Sequence, residues 1–89
     1  ALLIVENLSI INENYSSADV DLLLYNITHK LNHDLNKLGL DKALIARRYG
    51  AEFLIAIDKN RDDIQTIFET FIANNKVIND MELNYSFSV

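Results

Sequence analysis

The sequence contains no cysteine, no proline and no tryptophan, and only two glycines in 89 residues. Without cysteine there is no disulfide, no thiolate zinc site and no cysteine nucleophile. That fits a reducing compartment, and a cytoplasmic location is expected. Basic residues are also scarce. Eight Lys and Arg stand against thirteen Asp and Glu, and Arg47-Arg48 is the one adjacent basic pair. A duplex-binding surface needs concentrated positive charge, so a nucleic acid duplex is disfavoured as a partner. No apolar run approaches the ~20 residues that span a bilayer, and no signal peptide is visible, so no membrane insertion is expected within the chain. Rare glycine and absent proline, beside abundant Asn, Ile and Leu, suggest an AT-rich bacterial genome. The first residue is not methionine, and the chain reads as a piece of a longer protein.

What is present suffices for one domain spanning residues 1–89. The hydrophobic fraction is 49%, with four tyrosines and four phenylalanines, which places the chain among globular rather than disordered sequences. A domain this small buries only a little over ~60% of its unfolded surface, so its stability is expected to be modest.

The hydrophobic pattern predicts six elements. Ala1–Leu8 is a short apolar run of the kind buried on both faces of a covered sheet. The turn-rich stretch that follows leaves room for about one helical turn. From Val20 the apolar residues Leu23, Leu24, Ile27, Leu31, Leu35 and Leu38 recur at steps of three and four, predicting a helix over 19–38 that stops at Gly39. Residues 43–57 read as a hairpin turning at Gly50-Ala51, with Phe53, Ile55 and Ile57 on one face. Asn60 is a candidate cap for a helix over 62–74, with Asp62 and Asp63 in its first turn and Ile64, Ile67, Phe68, Phe71 and Ile72 buried. Leu83–Val89 alternates as a last strand. The order strand, helix, strand, strand, helix, strand is α+β and ferredoxin-like, βαββαβ, with helices covering an antiparallel-rich sheet.

Two sequence segments carry a resemblance. The hairpin "RYGAEF", Arg48-Tyr49-Gly50-Ala51-Glu52-Phe53, and the ending "NYSFSV" resemble the GGDEF domain of diguanylate cyclases, whose hairpin usually reads Arg-Tyr-Gly-Gly-Asp/Glu-Glu-Phe. The stretch "IVENLSIINENYSSADVD" (Ile4–Asp21) is similar to the family's opening segment without a gap. Ile11, Asn12, Tyr15 and Asp21 match it, Glu6 and Glu13 keep the charge of two aspartates, and Leu8 replaces a phenylalanine. The resemblance spans the chain. It implies a nucleotide-cyclase palm-like domain whose leading and closing helices lie outside residues 1–89.

In the family two GTP molecules are joined into cyclic di-GMP, a phosphoryl transfer in which metal ions held by carboxylates offset the triphosphate charge. The first metal aspartate falls on Ile4, which has no ligating atom. The hairpin is one residue short. Either the metal-binding acid is deleted and Glu52-Phe53 are the family's final pair, or Glu52 itself is the ligand; the first alignment keeps Phe53 on the core face. Ala51 replaces a glycine that lets backbone approach phosphate. Ser9, Ser16-Ser17 and Val20 replace a lysine, a Gly-His pair and a glycine. The family's Arg-x-x-Asp inhibitory site would fall on Asp41 and Leu44 and is absent. By resemblance, Asn12 and Asp21 fall where the guanine edge is bound, an amide and a carboxylate that suit its carbonyl and N–H groups. Both residue types also suit ordinary loop and helix-start positions.

The resemblance thus implies a catalytically inactive regulatory or interaction domain of a bacterial cyclic di-GMP signalling protein. No catalytic residue, metal or cofactor is expected. Glu6 and Glu52 are the weak metal candidates, and magnesium would accompany GTP if Asn12 and Asp21 still bind it. Expected partners are other domains of the same protein, with a homodimer and guanine nucleotide open. Two alternatives stand: an active cyclase with Glu6 and Glu52 as substitute ligands, and an unrelated ferredoxin-like binding module. His29 and His33 have a chelating spacing on the long helix but read as an exposed pair.

Overall fold

The computed structural model describes residues 1–40 and 42–89. Nine elements follow one another: β1 (Leu2–Val5), α1 (Leu8–Asn14), α2 (Ser17–Lys37), β2 (Leu44–Arg48), β3 (Glu52–Ala56), α3 (Arg61–Asn74), β4 (Val77–Ile78), β5 (Met81–Glu82) and β6 (Tyr85–Ser88). The architecture is α+β. A four-stranded sheet has the order β2-β3-β1-β6, and β4-β5 form a separate two-stranded ladder. Every neighbouring pair is antiparallel.

Register explains which side chains make the core. Leu3 stands opposite Phe53 and Phe87, Val5 opposite Tyr85, and Ile45 opposite Ile55. Cross-strand partners share a face, and this face meets the helices: Leu3, Val5, Phe53 and Ile55 are buried. The α2 stripe Val20, Leu23, Leu24, Ile27, Leu31 and Leu35 is buried against it, as are Ile64, Phe68 and Phe71 of α3. Phe68 stacks on Phe87, and Phe71 meets Tyr85 edge-on.

Among the described residues nothing covers the opposite face of the sheet. Leu2 and Ile4 are half-buried, and Leu44, Ala46, Leu54 and Ala56 are exposed. The expectation that the first strand is buried on both faces is therefore corrected. Its residues are apolar on both sides, but only one side carries helices.

Three further boundaries differ from the sequence pattern. The first strand ends at Val5, not Leu8, because Leu8 and Ile11, three apart, turn inward as the buried stripe of α1. The β4-β5 ladder interrupts what reads as a connection into the last strand. Its two-residue turn, Asn79-Asp80, has φ of 54° and 64°, the left-handed pair that a type I′ hairpin requires. Leu38 belongs by phase to the α2 stripe yet is exposed, because it is already the C-cap and lies past the last helical turn.

Helix ends are closed by the residues that mark them. The Ser16 hydroxyl accepts from Asp19 N–H at the start of α2, and Asn60 Oδ1 accepts from Asp63 N–H at the start of α3. Asn7 flanks α1 but its amide bridges elsewhere, donating to the Glu82 carbonyl at 2.9 Å and accepting from Asn84 N–H at 3.0 Å. It thereby ties the start of α1 to the chain entering β6.

Candidate functional site

The positions where the resemblance places a metal centre lie at one end of the open sheet face. Arg48, Glu52, Ile4 and Ser86 form a row across four strands, set by the pairs Arg48↔Glu52, Ile4↔Glu52 and Ile4↔Ser86. Glu6 follows Ile4 two residues on and accepts a hydrogen bond from Ser86 Oγ. Glu52 is half-buried and bound to Arg48, whose Nε and Nη2 reach its Oε1 at 2.9 and 2.8 Å. Each carboxylate thus has a partner from its own sheet. Between them stands Ile4, an apolar side chain in the middle of the row.

The hairpin tip is built by backbone preference. Arg48 and Glu52 are the last paired residues, and Tyr49, Gly50 and Ala51 form the loop. Tyr49 and Gly50 both have positive φ, 52° and 75°. Tyr49 is therefore a loop residue rather than the end of a strand; its side chain is exposed and the Arg48 guanidinium lies over its ring. Gly50 is needed for its φ alone, since a Cβ there would only touch Leu8 Cδ2 at 3.9 Å. The Ala51 carbonyl accepts from Val5 N–H at 3.0 Å, which ties the loop back to the end of β1. Phe53 is fully buried on the helix face.

The two base-binding candidates sit on different helices. Asn12 is exposed on α1 and Asp21 exposed on α2. Asp21 lines a recess with Leu24, Tyr25, Thr28 and Arg47, and Asn12 is not among its walls. His29 and His33 are exposed and share a recess with Asp34, Asn74 and Asn75; the His29 ring stacks on Tyr25. Among the described residues no group of three or more His, Cys, Asp or Glu is placed to hold a metal ion, and no helix is long and apolar enough to cross a membrane. Of the two positions of the family's inhibitory site, Leu44 is an exposed edge-strand residue and Asp41 lies outside the described residues.

The recess at Arg47 is the feature that sequence reasoning did not pick out. A signal existed. Asp21, Tyr25 and Thr28 follow at i, i+4 and i+7, one side of a helix, and Arg47 alternates with Ile45 toward the helix face of β2. Compared with known proteins, the chain matches no family model, no curated protein and no solved structure.

Proposed function

We propose that the chain is a degenerate GGDEF-like domain, a regulatory or interaction module of a bacterial cyclic di-GMP signalling protein that does not itself form cyclic di-GMP. The observation that carries this reading is the row Arg48–Glu52–Ile4–Ser86. Phosphoryl transfer between triphosphates needs metal carboxylates, since little else offsets the developing charge. Here the central position is isoleucine, and the acids beside it are engaged by Arg48 and Ser86. Glu6 cannot take over from Ile4: it lies past the end of β1, and even along an extended chain two residues move a carboxylate by ~6–7 Å, whereas magnesium ligands sit at ~2 Å.

In favour of the finer, ferredoxin-like description stands the strand order. Leaving α1 and the β4-β5 ladder aside, the sequence of main elements is β1, α2, β2, β3, α3, β6, and the sheet reads β2-β3-β1-β6 with all neighbours antiparallel. The split arrangement, with β3 lying between β1 and β2, belongs to βαββαβ folds.

The test is incubation of the purified protein with GTP and magnesium or manganese, followed by chromatographic detection of cyclic di-GMP, beside calorimetric titration with GTP. No product is expected. Turnover that disappears in Glu52→Ala would overturn the reading in favour of an active cyclase. If Asn12 and Asp21 hold guanine, Asp21→Ala weakens GTP binding by about 1–3 kcal/mol, the scale of a lost charged hydrogen bond.

A further inference from the structure

The edge of the sheet at β2 has a construction that the reading above does not use. β2 is an outer strand, and of its five residues only Ile45 is even half-buried. An outer strand leaves half of its backbone N–H and C=O groups unpaired, a template for one more strand. Beside this edge, α2 and β2 enclose an open recess of about 390 Å³, walled by Leu24, Tyr25 and Thr28 from the helix and by Arg47 from the strand. A strand added along β2 would place every second side chain over that recess, because its side chains alternate in phase with those of β2. A free edge flanked by a helix is the arrangement that binds extended peptides by strand addition.

Charge selects the occupant. The chain has net charge −5, and three of its eight basic residues, Lys42, Arg47 and Arg48, lie between Asp41 and Glu52 in sequence. Arg48 is neutralised by Glu52. Arg47 makes no ion pair among the described residues, and it faces the recess. Asp21 stands on the helix wall of the same recess, so the strand side, where an added backbone would lie, carries one guanidinium, that of Arg47. The aromatic ring of Tyr25 is exposed beside it.

We infer that the groove between β2 and α2 binds an extended acidic peptide segment of a partner protein, which pairs with β2 as a fifth strand, sets a carboxylate against Arg47 and lays an apolar side chain over Leu24 and Tyr25. The groove shares Asp21 with the guanine reading, whereas Asn12, Ile4, Glu52 and Ser86 take no part in it.

The test uses the 89-residue chain and a fluorescein-labelled peptide of about eight residues, a long strand, with glutamate and valine taking turns at every second position and serine between them, so that both share the face turned to the recess. Anisotropy should show saturable binding that weakens as salt is raised. A peptide with lysine in place of glutamate should bind at least about tenfold more weakly, and Arg47→Glu should reverse that preference. Amide exchange should show new protection within Leu44–Arg48 when the acidic peptide is bound. Absence of saturable binding, equal binding of both peptides, or protection at Tyr85–Ser88 instead would overturn the proposal. Concentration-dependent protection of Leu44–Arg48 without peptide would also overturn it, assigning the edge to a second copy of the chain.

Discussion

Tyr85 carries its phenol into the seam between α3 and β6, where the hydroxyl donates to the Asn75 carbonyl at 2.7 Å and the ring meets Phe71 edge-on. Asn75, the one buried polar residue among those described, is satisfied as well, since its amide donates to the Phe71 carbonyl at 2.8 Å. Burial disfavours the phenolate and pushes the Tyr85 pKa well above its ordinary value of about 10. The sign of the linkage follows. The folded state keeps a proton that the unfolded chain releases, so the stabilisation is complete below about pH 10 and is lost as pH rises from there toward the folded pKa. Tyr85→Phe lacks both the hydrogen bond and this titration. Urea unfolding at about pH 9 should show the variant less stable by about 1 kcal/mol, and at about pH 11 the gap should narrow or reverse. Parallel profiles across that range would show that the phenol is not desolvated in solution.

At the scale of elements, the end of α2 shows how one residue type closes a helix. Gly39 has φ of 77°. Its N–H bonds the Asn36 carbonyl at 3.0 Å, and Leu40 N–H reaches back to the Leu35 carbonyl at 2.9 Å, the two bonds of a Schellman motif. A Cβ at Gly39 would meet nothing within 4 Å. The cost of Gly39→Ala is therefore conformational and not steric crowding, and should be about 1 kcal/mol, read from the urea midpoint with an unchanged slope. No loss at all would mean that the α2 terminus is frayed. Elements of this kind were legible because each has a long periodic stripe and a local terminator; Asn60 capping α3 is another. α1 was read only as about one turn, and the β4-β5 ladder was not read at all, for a physical reason. Seven residues hold two inward side chains, and two-residue strands hold one each, too few for a period to emerge. The Asn79-Asp80 turn was the readable sign of the ladder. In the candidate site, the substitution at Ile4 was visible from the sequence, whereas the pairing of Glu6 with Ser86 depends on the register between the first and last strands, which local pattern does not specify.

At the scale of the whole molecule, the chain has two layers, helices on one face of the sheet and nothing among the described residues on the other. An unbroken apolar run reports that a strand carries apolar side chains on both faces, not that a second layer covers them, and so the sequence of β1 looked the same as that of a fully enclosed strand. The two faces should respond to mutation unequally. Phe53 is fully buried under the helices, while its neighbour Leu54 points the other way and is 38% exposed. Phe53→Ala removes a packed aromatic and leaves a cavity, a loss of about 3–5 kcal/mol. A domain of this size has only about 5–13 kcal/mol in total at roughly 0.05–0.15 kcal/mol per residue, so the variant is expected to be marginal or unfolded. Leu54→Ser removes a side chain already in contact with water and should cost less than about 1.5 kcal/mol, the burial remaining to it being partial. Its β-propensity change is smaller still on an outward face. Both values come from urea unfolding of the 89-residue chain. If Leu54→Ser instead approached the loss caused by Phe53→Ala, the open face would be covered in solution by another copy of the chain, and the midpoint would then rise with protein concentration.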